Sequence, residues 1–138
     1  MGTPRSSPRE STARLRVRYA ETDQMGVVYY ANYLVWFEVA RCEWLRATGY
    51  TYRQLELAGT VLPVVEAHCE YRRPLRYDEE VEVRTRATLL SHVRLRFDYD
   101  VATVGAPEPA ATGWTVHAGV GVAGKPMRLP AVVRSLFP

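Results

Sequence analysis

The segment YAETDQMGVVYYANY, residues 19–33, runs through three conformations in fifteen residues. It begins as the end of a strand, turns through a loop that holds Asp23 and Gly26, crosses the apolar run Val27-Val28-Tyr29, and opens a long helix at about Asn32. A carboxylate placed in a loop just before a helix start is a reactive arrangement. The first N–H groups of a helix have no intrahelical partner and carry partial positive charge. An acid beside them can work on a carbonyl whose oxygen becomes negative. By itself Thr-Asp-x-x-Gly is also ordinary turn chemistry, so the residues alone leave Asp23 open between a turn or capping residue and a reacting group.

The sequence around this segment supplies one helix and a sheet. Upstream, Leu15, Val17 and Tyr19 alternate with Arg14, Arg16 and Arg18, which predicts a first strand over residues 14–19. Downstream, Tyr33, Phe37, Ala40 and Trp44 recur at helical spacing, widened by Trp36 and Leu45, so a helix is predicted from Asn32 to Thr48 with Asn32 as N-cap and Gly49 beyond its end. A short helix over Tyr52–Ala58 follows. The period then changes to two, giving strands over Val61–Arg73, Glu80–Leu90, His92–Val101 and Trp114–Val122, the last with Trp114, Val116, Ala118, Val120 and Val122 on its apolar face. One apolar helix and one sheet with a single apolar face bury each other, and paired sheet edges would favour dimerisation.

The chain has 138 residues, 47% of them hydrophobic, which suits one folded domain over residues 14–138 preceded by a flexible polar tail over 1–13. No apolar run is long enough to span a bilayer and the N-terminus lacks a signal-peptide core, pointing to a cytoplasmic protein. Cys42 and Cys69 have no metal or disulfide spacing and read as buried free thiols. A net charge of +3 is too mild for nucleic-acid binding and compatible with an anionic ligand. Gly119, Gly121 and Gly124 formally spell a dinucleotide fingerprint, but they fall inside and after a strand with no helix following. The histidines at 68, 92 and 117 lie on separate strands without metal-ligand spacing.

YAETDQMGVVYYANY followed by LVWFEVARCEWL resembles the hotdog-fold acyl-CoA thioesterases of the YbgC-like and 4-hydroxybenzoyl-CoA thioesterase group, and the likeness extends from about Arg14 to Pro130. It implies an α+β hotdog fold: a five-stranded antiparallel sheet wrapped around a long central helix. It also implies homodimers that share active sites, often pairing again into homotetramers, and no metal or redox cofactor. Carried over by position, Asp23 is the catalytic carboxylate, nucleophile or general base. Tyr30 stands where a backbone N–H polarises the thioester carbonyl, and Tyr19 where many YbgC-like members have a tyrosine close to the acid. Tyr30 also occupies a position where many of those members carry histidine.

Beside the acid, Gly26 shapes the loop, and Val27, Tyr29 and Tyr33 are candidates for the wall of an acyl pocket. Arg72, Arg73, His92 and Arg94 are candidates for the phosphates of coenzyme A, because guanidinium groups bind phosphate through charge and fork geometry. Glu38 and Glu43 on the helix read as structural or rim residues. The expected activity is hydrolysis of an acyl- or aryl-CoA thioester. An acyl carrier protein thioesterase and a noncatalytic acyl-CoA-binding protein are the alternatives.

Overall fold

A computed structural model describes residues 10–137. Five strands form one antiparallel sheet: β1 (Glu10–Arg16), β2 (Val64–Tyr71), β3 (Glu80–Leu89), β4 (Arg94–Thr103) and β5 (Ala111–Ala118), in the spatial order β1-β3-β4-β5-β2. The long helix α1 (Asn32–Ala47) lies on the sheet; α2 (Tyr52–Leu57) and the four-residue α3 (Ala131–Arg134) are short. Strand β1 begins at Glu10, so residues 10–13, expected in a tail, are paired with β3 from Glu10↔Arg86 onward. The remainder of the expected tail, residues 1–9, lies outside the described residues. Strand β1 also stops at Arg16, and Tyr19–Glu21 forms a single 3-10 turn where the strand was expected to continue.

Helix α1 buries the stripe that its spacing predicts: Tyr33, Trp36, Phe37, Ala40, Trp44 and Leu45. It docks on Val81, Val83 and Ala87 of β3 and Leu95, Phe97, Tyr99 and Val101 of β4, all buried in one core cluster. The rings of Phe37 and Tyr99 stack at 4.1 Å, and Trp44 meets Phe97 edge-on at 5.5 Å. Burial of one such side chain stabilises by roughly 1.5–3 kcal/mol, so this stripe is a main determinant of where the helix sits. Gly113 on β5 makes room for it. A Cβ there would stand 2.2 Å from the His68 carbonyl oxygen and 2.9 Å from the Phe37 ring. The helix ends as expected, with Thr48 as C-cap and Gly49 at φ 91°, but its N-cap is Ala31 and Asn32 is its first residue.

The last strand corrects the sequence reading. It spans Ala111–Ala118, and the residues facing the helix are Ala111, Gly113, Thr115 and His117. Trp114, expected on the apolar face, is on the outer face, stacked on His68 at 4.1 Å with the Arg96 guanidinium 4.5 Å from its ring centre. The large aromatic is stabilised there by a cation and an imidazole instead of by core packing. The Pro-punctuated C-terminal segment is structural: Leu129, Val133 and Phe137 join the core, and Phe137 stacks on Trp44 at 5.1 Å.

His117, expected at a sheet face or interface, is 1% exposed. Its Nδ1 lies 2.9 Å from the Leu62 carbonyl oxygen and must donate to it, so Nε2 accepts from the Thr115 hydroxyl at 2.9 Å, and Thr115 in turn accepts from Tyr99 at 2.6 Å. Burial pushes its pKa down to about 4. In the unfolded chain the ring takes a proton as the pH falls through about 6.5, while in the native chain it stays neutral until about 4. Stability tied to His117 is therefore complete above about pH 6.5 and lost as the pH falls toward 4, by up to ~1.4 kcal/mol per pH unit. Urea unfolding between pH 7 and 5 should show this slope, and His117→Gln should flatten it; an equal slope in both proteins would contradict the neutral buried imidazole.

Candidate active site

The loop that precedes α1 is tied down at nearly every residue. Asp23 N–H donates to the Val27 carbonyl at 2.9 Å, and Gly26 N–H donates back to the Asp23 carbonyl at 2.9 Å, closing a tight turn. Gly26 has φ 78°, a backbone region that side chains strain, and a Cβ there would approach the Arg76 guanidinium at 3.8 Å. Val28 N–H donates to Leu75 and Tyr29 N–H to Glu21 at 2.8 Å each, which fastens the apolar run on both sides. The side chain of Asn32 does not cap the helix; it donates to the Glu21 carbonyl at 2.9 Å.

Asp23 is half-buried, and its Oδ1 accepts the Met25 N–H at 2.9 Å. No donor among the described residues takes the other oxygen, Oδ2. Asp23 is thus both the turn residue and an acid with one oxygen to spare. At the helix start, no acceptor among the described residues takes the N–H of Tyr30 or of Ala31, whereas the Tyr30 carbonyl is held by the Tyr71 hydroxyl at 2.9 Å. The free N–H groups are the unpaired donors that a helix start leaves.

Asp23 and Tyr30 line one hollow of about 340 Å³, together with Val27, Val28, Tyr33 and Tyr71 on its apolar side and Arg72 and Arg73 at its rim. A phenol wall borders it: the Tyr33 and Tyr71 rings meet edge-on at 5.0 Å, and burial raises the Tyr33 hydroxyl to about 12, so it remains a neutral donor. Arg73 is steadied by the Thr103 hydroxyl at 2.8 Å, and Arg72 lies 3.7 Å from Glu70. A slightly larger hollow, of about 370 Å³, lies between the far half of α1, α2 and residues 60–63, lined by Glu38, Arg41 and Tyr52. It contains neither the loop acid nor an open helix end.

The structure brings together Asp23, Val27, Tyr30, Tyr33, Arg72 and Arg73 of the residues singled out from sequence, with Gly26 shaping the loop. Tyr29 is exposed, and its ring lies tilted against that of Tyr30 at 4.7 Å. Tyr19 is 77% exposed with its ring against Tyr77, and it does not line the hollow; its carbonyl serves the loop by accepting from Thr22. His92 and Arg94 are not brought to this hollow within one chain. Arg94 opens the ten-residue strand β4 and Thr103, the partner of Arg73, closes it, nine residue steps or about 30 Å apart. His92 instead faces Arg128 and Arg134.

Sequence reasoning passed over Glu21. It is 5% exposed, and its carboxylate accepts from the Arg18 N–H and from the Trp36 indole at 2.8 Å each. Burial alone would raise its pKa, but these hydrogen bonds, with the Arg18 guanidinium at 3.4 Å, hold it below the usual carboxylate value. The signal available in sequence was the three-residue spacing from Arg18, at which a glutamate side chain can reach back to the backbone N–H that opens the 3-10 turn, one half of a capping box.

The family model of the Thioesterase-like superfamily matches residues 17–137. The chain is 48% identical over 75 residues to YneP of Bacillus subtilis, covering 54% of each protein. It is 35% identical over 83 residues to the acyl-CoA thioester hydrolase YbgC of Escherichia coli O6:H1, covering 60% of this chain and 62% of YbgC. These matches span between half and two thirds of those relatives. The structure of the DHNA-CoA thioesterase of Staphylococcus aureus superposes with a TM-score of 0.82 at 36% identity, over 87% of this chain and 80% of that one. With its five-stranded antiparallel sheet packed on one long helix, the fold is the hotdog fold of those structures, and the chain belongs to the thioesterase-like superfamily.

Proposed function

We propose that this protein hydrolyses an acyl- or aryl-CoA thioester to the free acid and coenzyme A. The observation that carries the proposal is the shared hollow: an acid with a spare oxygen and a helix start with unpaired N–H groups line the same space. Thioester hydrolysis needs both an attacking group and a place for the oxyanion. Two routes fit. In one, the Asp23 carboxylate attacks the carbonyl carbon, the thiolate of coenzyme A leaves, and water then cleaves the mixed anhydride. In the other, Asp23 takes a proton from a water whose oxygen attacks the carbonyl, and the departing thiolate receives that proton. In both, the developing oxyanion is held by the Tyr30 N–H, a backbone donor that does not depend on an imidazole at that position. The acyl group lies against Val27, Tyr33 and Tyr71, and Arg72 and Arg73 take the phosphates. Besides water and the thioester, the two routes use only Asp23 and backbone N–H groups, so the reading includes no metal or redox cofactor.

The same reading makes the protein a cytoplasmic homodimer with shared sites, and a dimer of dimers. Cys42 and Cys69 are free thiols, as suits a reducing compartment. Strand β2 is a sheet edge with Val64 and Val65 exposed, and the neighbouring face of α1 exposes Leu34, Val35 and Val39. Paired β2 edges would satisfy the open backbone and cover this apolar strip. The mass by light scattering should be two or four times the 15.7 kDa of one chain; a monomer at micromolar concentration would remove the shared-site arrangement.

Thiol release from acyl-CoA esters tests the activity. Asp23→Asn should keep the fold and lower kcat by ~10²–10⁴-fold, the range that a positioned acid or base contributes; wild-type turnover in the folded variant would refute the assignment. Arg72→Gln combined with Arg73→Gln should raise KM for CoA esters about tenfold, with kcat little changed, as expected for lost charge-assisted contacts to phosphate. An unchanged KM would remove the two arginines from the binding site.

A further inference from the structure

Glu21 stands two residues before Asp23 and, by backbone and side chain together, receives donors from three directions. Its carboxylate accepts from the Arg18 N–H and the Trp36 indole, its carbonyl from the Tyr29 N–H and the Asn32 side-chain amide. Trp36 and Asn32 belong to the first turns of α1, and Tyr29 immediately precedes the residue whose N–H is open. One residue therefore ties the strand end, the acid loop and the helix start to each other.

The side chain at this point is chemically specific. Both donors at 2.8 Å are N–H groups with fixed directions, one from backbone and one from an indole 2% exposed. A carboxylate offers only acceptors and satisfies both. A carboxamide of the same shape would turn its NH2 toward one of them and leave a buried donor facing a donor. The ion pair with Arg18 explains little, since the Arg18 side chain is 72% exposed and 3.4 Å away. The carboxylate does not line the hollow and cannot touch a substrate bound there.

We propose that Glu21 is a positioning residue that sets the distance and orientation between the Asp23 carboxylate and the Tyr30 N–H by anchoring the loop to Trp36 of α1. The proposal rests on the reading of Asp23 and Tyr30 as the reacting pair. Reacting groups displaced by about 1 Å lose ~10²-fold in rate, so a loosened anchor acts on kcat more than on KM.

The test combines kinetics with amide exchange on the full-length protein. Glu21→Gln should lower kcat by about tenfold or more, leave KM within twofold, and leave the core folded by circular dichroism. In an Asp23→Asn background the same substitution should cost less kcat than it does in the wild type, because one member of the pair that Glu21 aligns is already lost. By hydrogen exchange, the amides of Asp23, Gly26 and Tyr29 should lose at least tenfold protection in Glu21→Gln, while those of β3 and β4 keep theirs. Trp36→Phe, which removes one donor and keeps the carboxylate, should reproduce a smaller part of both effects. Wild-type kcat together with unchanged exchange in Glu21→Gln would overturn the proposal, as would a full additional loss in the Asp23→Asn background. If Asp23→Asn alone turns over normally, the hydrolase reading of Asp23 fails, and the exchange data alone decide whether Glu21 anchors the loop. If Glu21→Gln does not fold, Trp36→Phe decides: wild-type kcat with unchanged exchange in that variant would overturn the proposal.

Discussion

The docking of α1 on the sheet is the constraint from which the rest of the structure follows. Phe37 lies flat on Tyr99, and Trp44 fills the space between Phe97 and Phe137. Gly113 permits this closeness, since any side chain there would collide with Phe37 and the His68 carbonyl. With the middle and far end of the helix fixed in this way, its first turn has one place to be: beside Tyr71 at the end of β2, under the loop from Tyr19 to Tyr29. The open N–H groups at Tyr30 and Ala31 are a consequence of that placement, because a helix start that ends at a hollow finds no further backbone to pair with.

Two buried polar groups show how the same packing is kept specific. His117 is held neutral between Thr115 and Leu62 under the sheet, and Glu21 is held ionised between Arg18 and Trp36 under the loop. Each is satisfied by fixed partners, so each stabilises one geometry and penalises others. The first pins β5 to the segment entering β2. The second pins the acid loop to the helix. Structure and chemistry meet at Glu21, because the group that keeps the loop in place lies two residues from the group assigned to the reaction.

Much of the fold was legible from period alone. The α1 stripe from Tyr33 to Leu45 and the alternation of Val81, Val83, Leu95, Phe97 and Tyr99 needed only the rule that one face is buried. Strand β5 was misread because Trp114 and Val116 are larger and more apolar than Gly113 and Thr115, while the inward face had to stay small to admit Phe37. The start of β1 was missed because Glu10 and Thr12 point outward from an edge strand and look like a polar tail. The hollow at Asp23 and Tyr30 was legible from their nearness in sequence and from the resemblance. The role of Glu21 was not, since it depends on an indole fifteen residues further along. Likewise, nothing in the sequence said that His92 and Arg94 lie a full strand length from Arg73.

The proposed reaction requires a thioester carbonyl held between Asp23 and the helix start. A crystal structure with a CoA analogue in which a methylene replaces the thioester sulfur, leaving an uncleavable ketone, tests this directly. The ketone oxygen should lie within about 3 Å of the Tyr30 nitrogen, with an Asp23 oxygen facing the carbonyl carbon at about 3–3.5 Å, or at one water's remove. A ketone bound elsewhere, with the Tyr30 N–H unused, would contradict it.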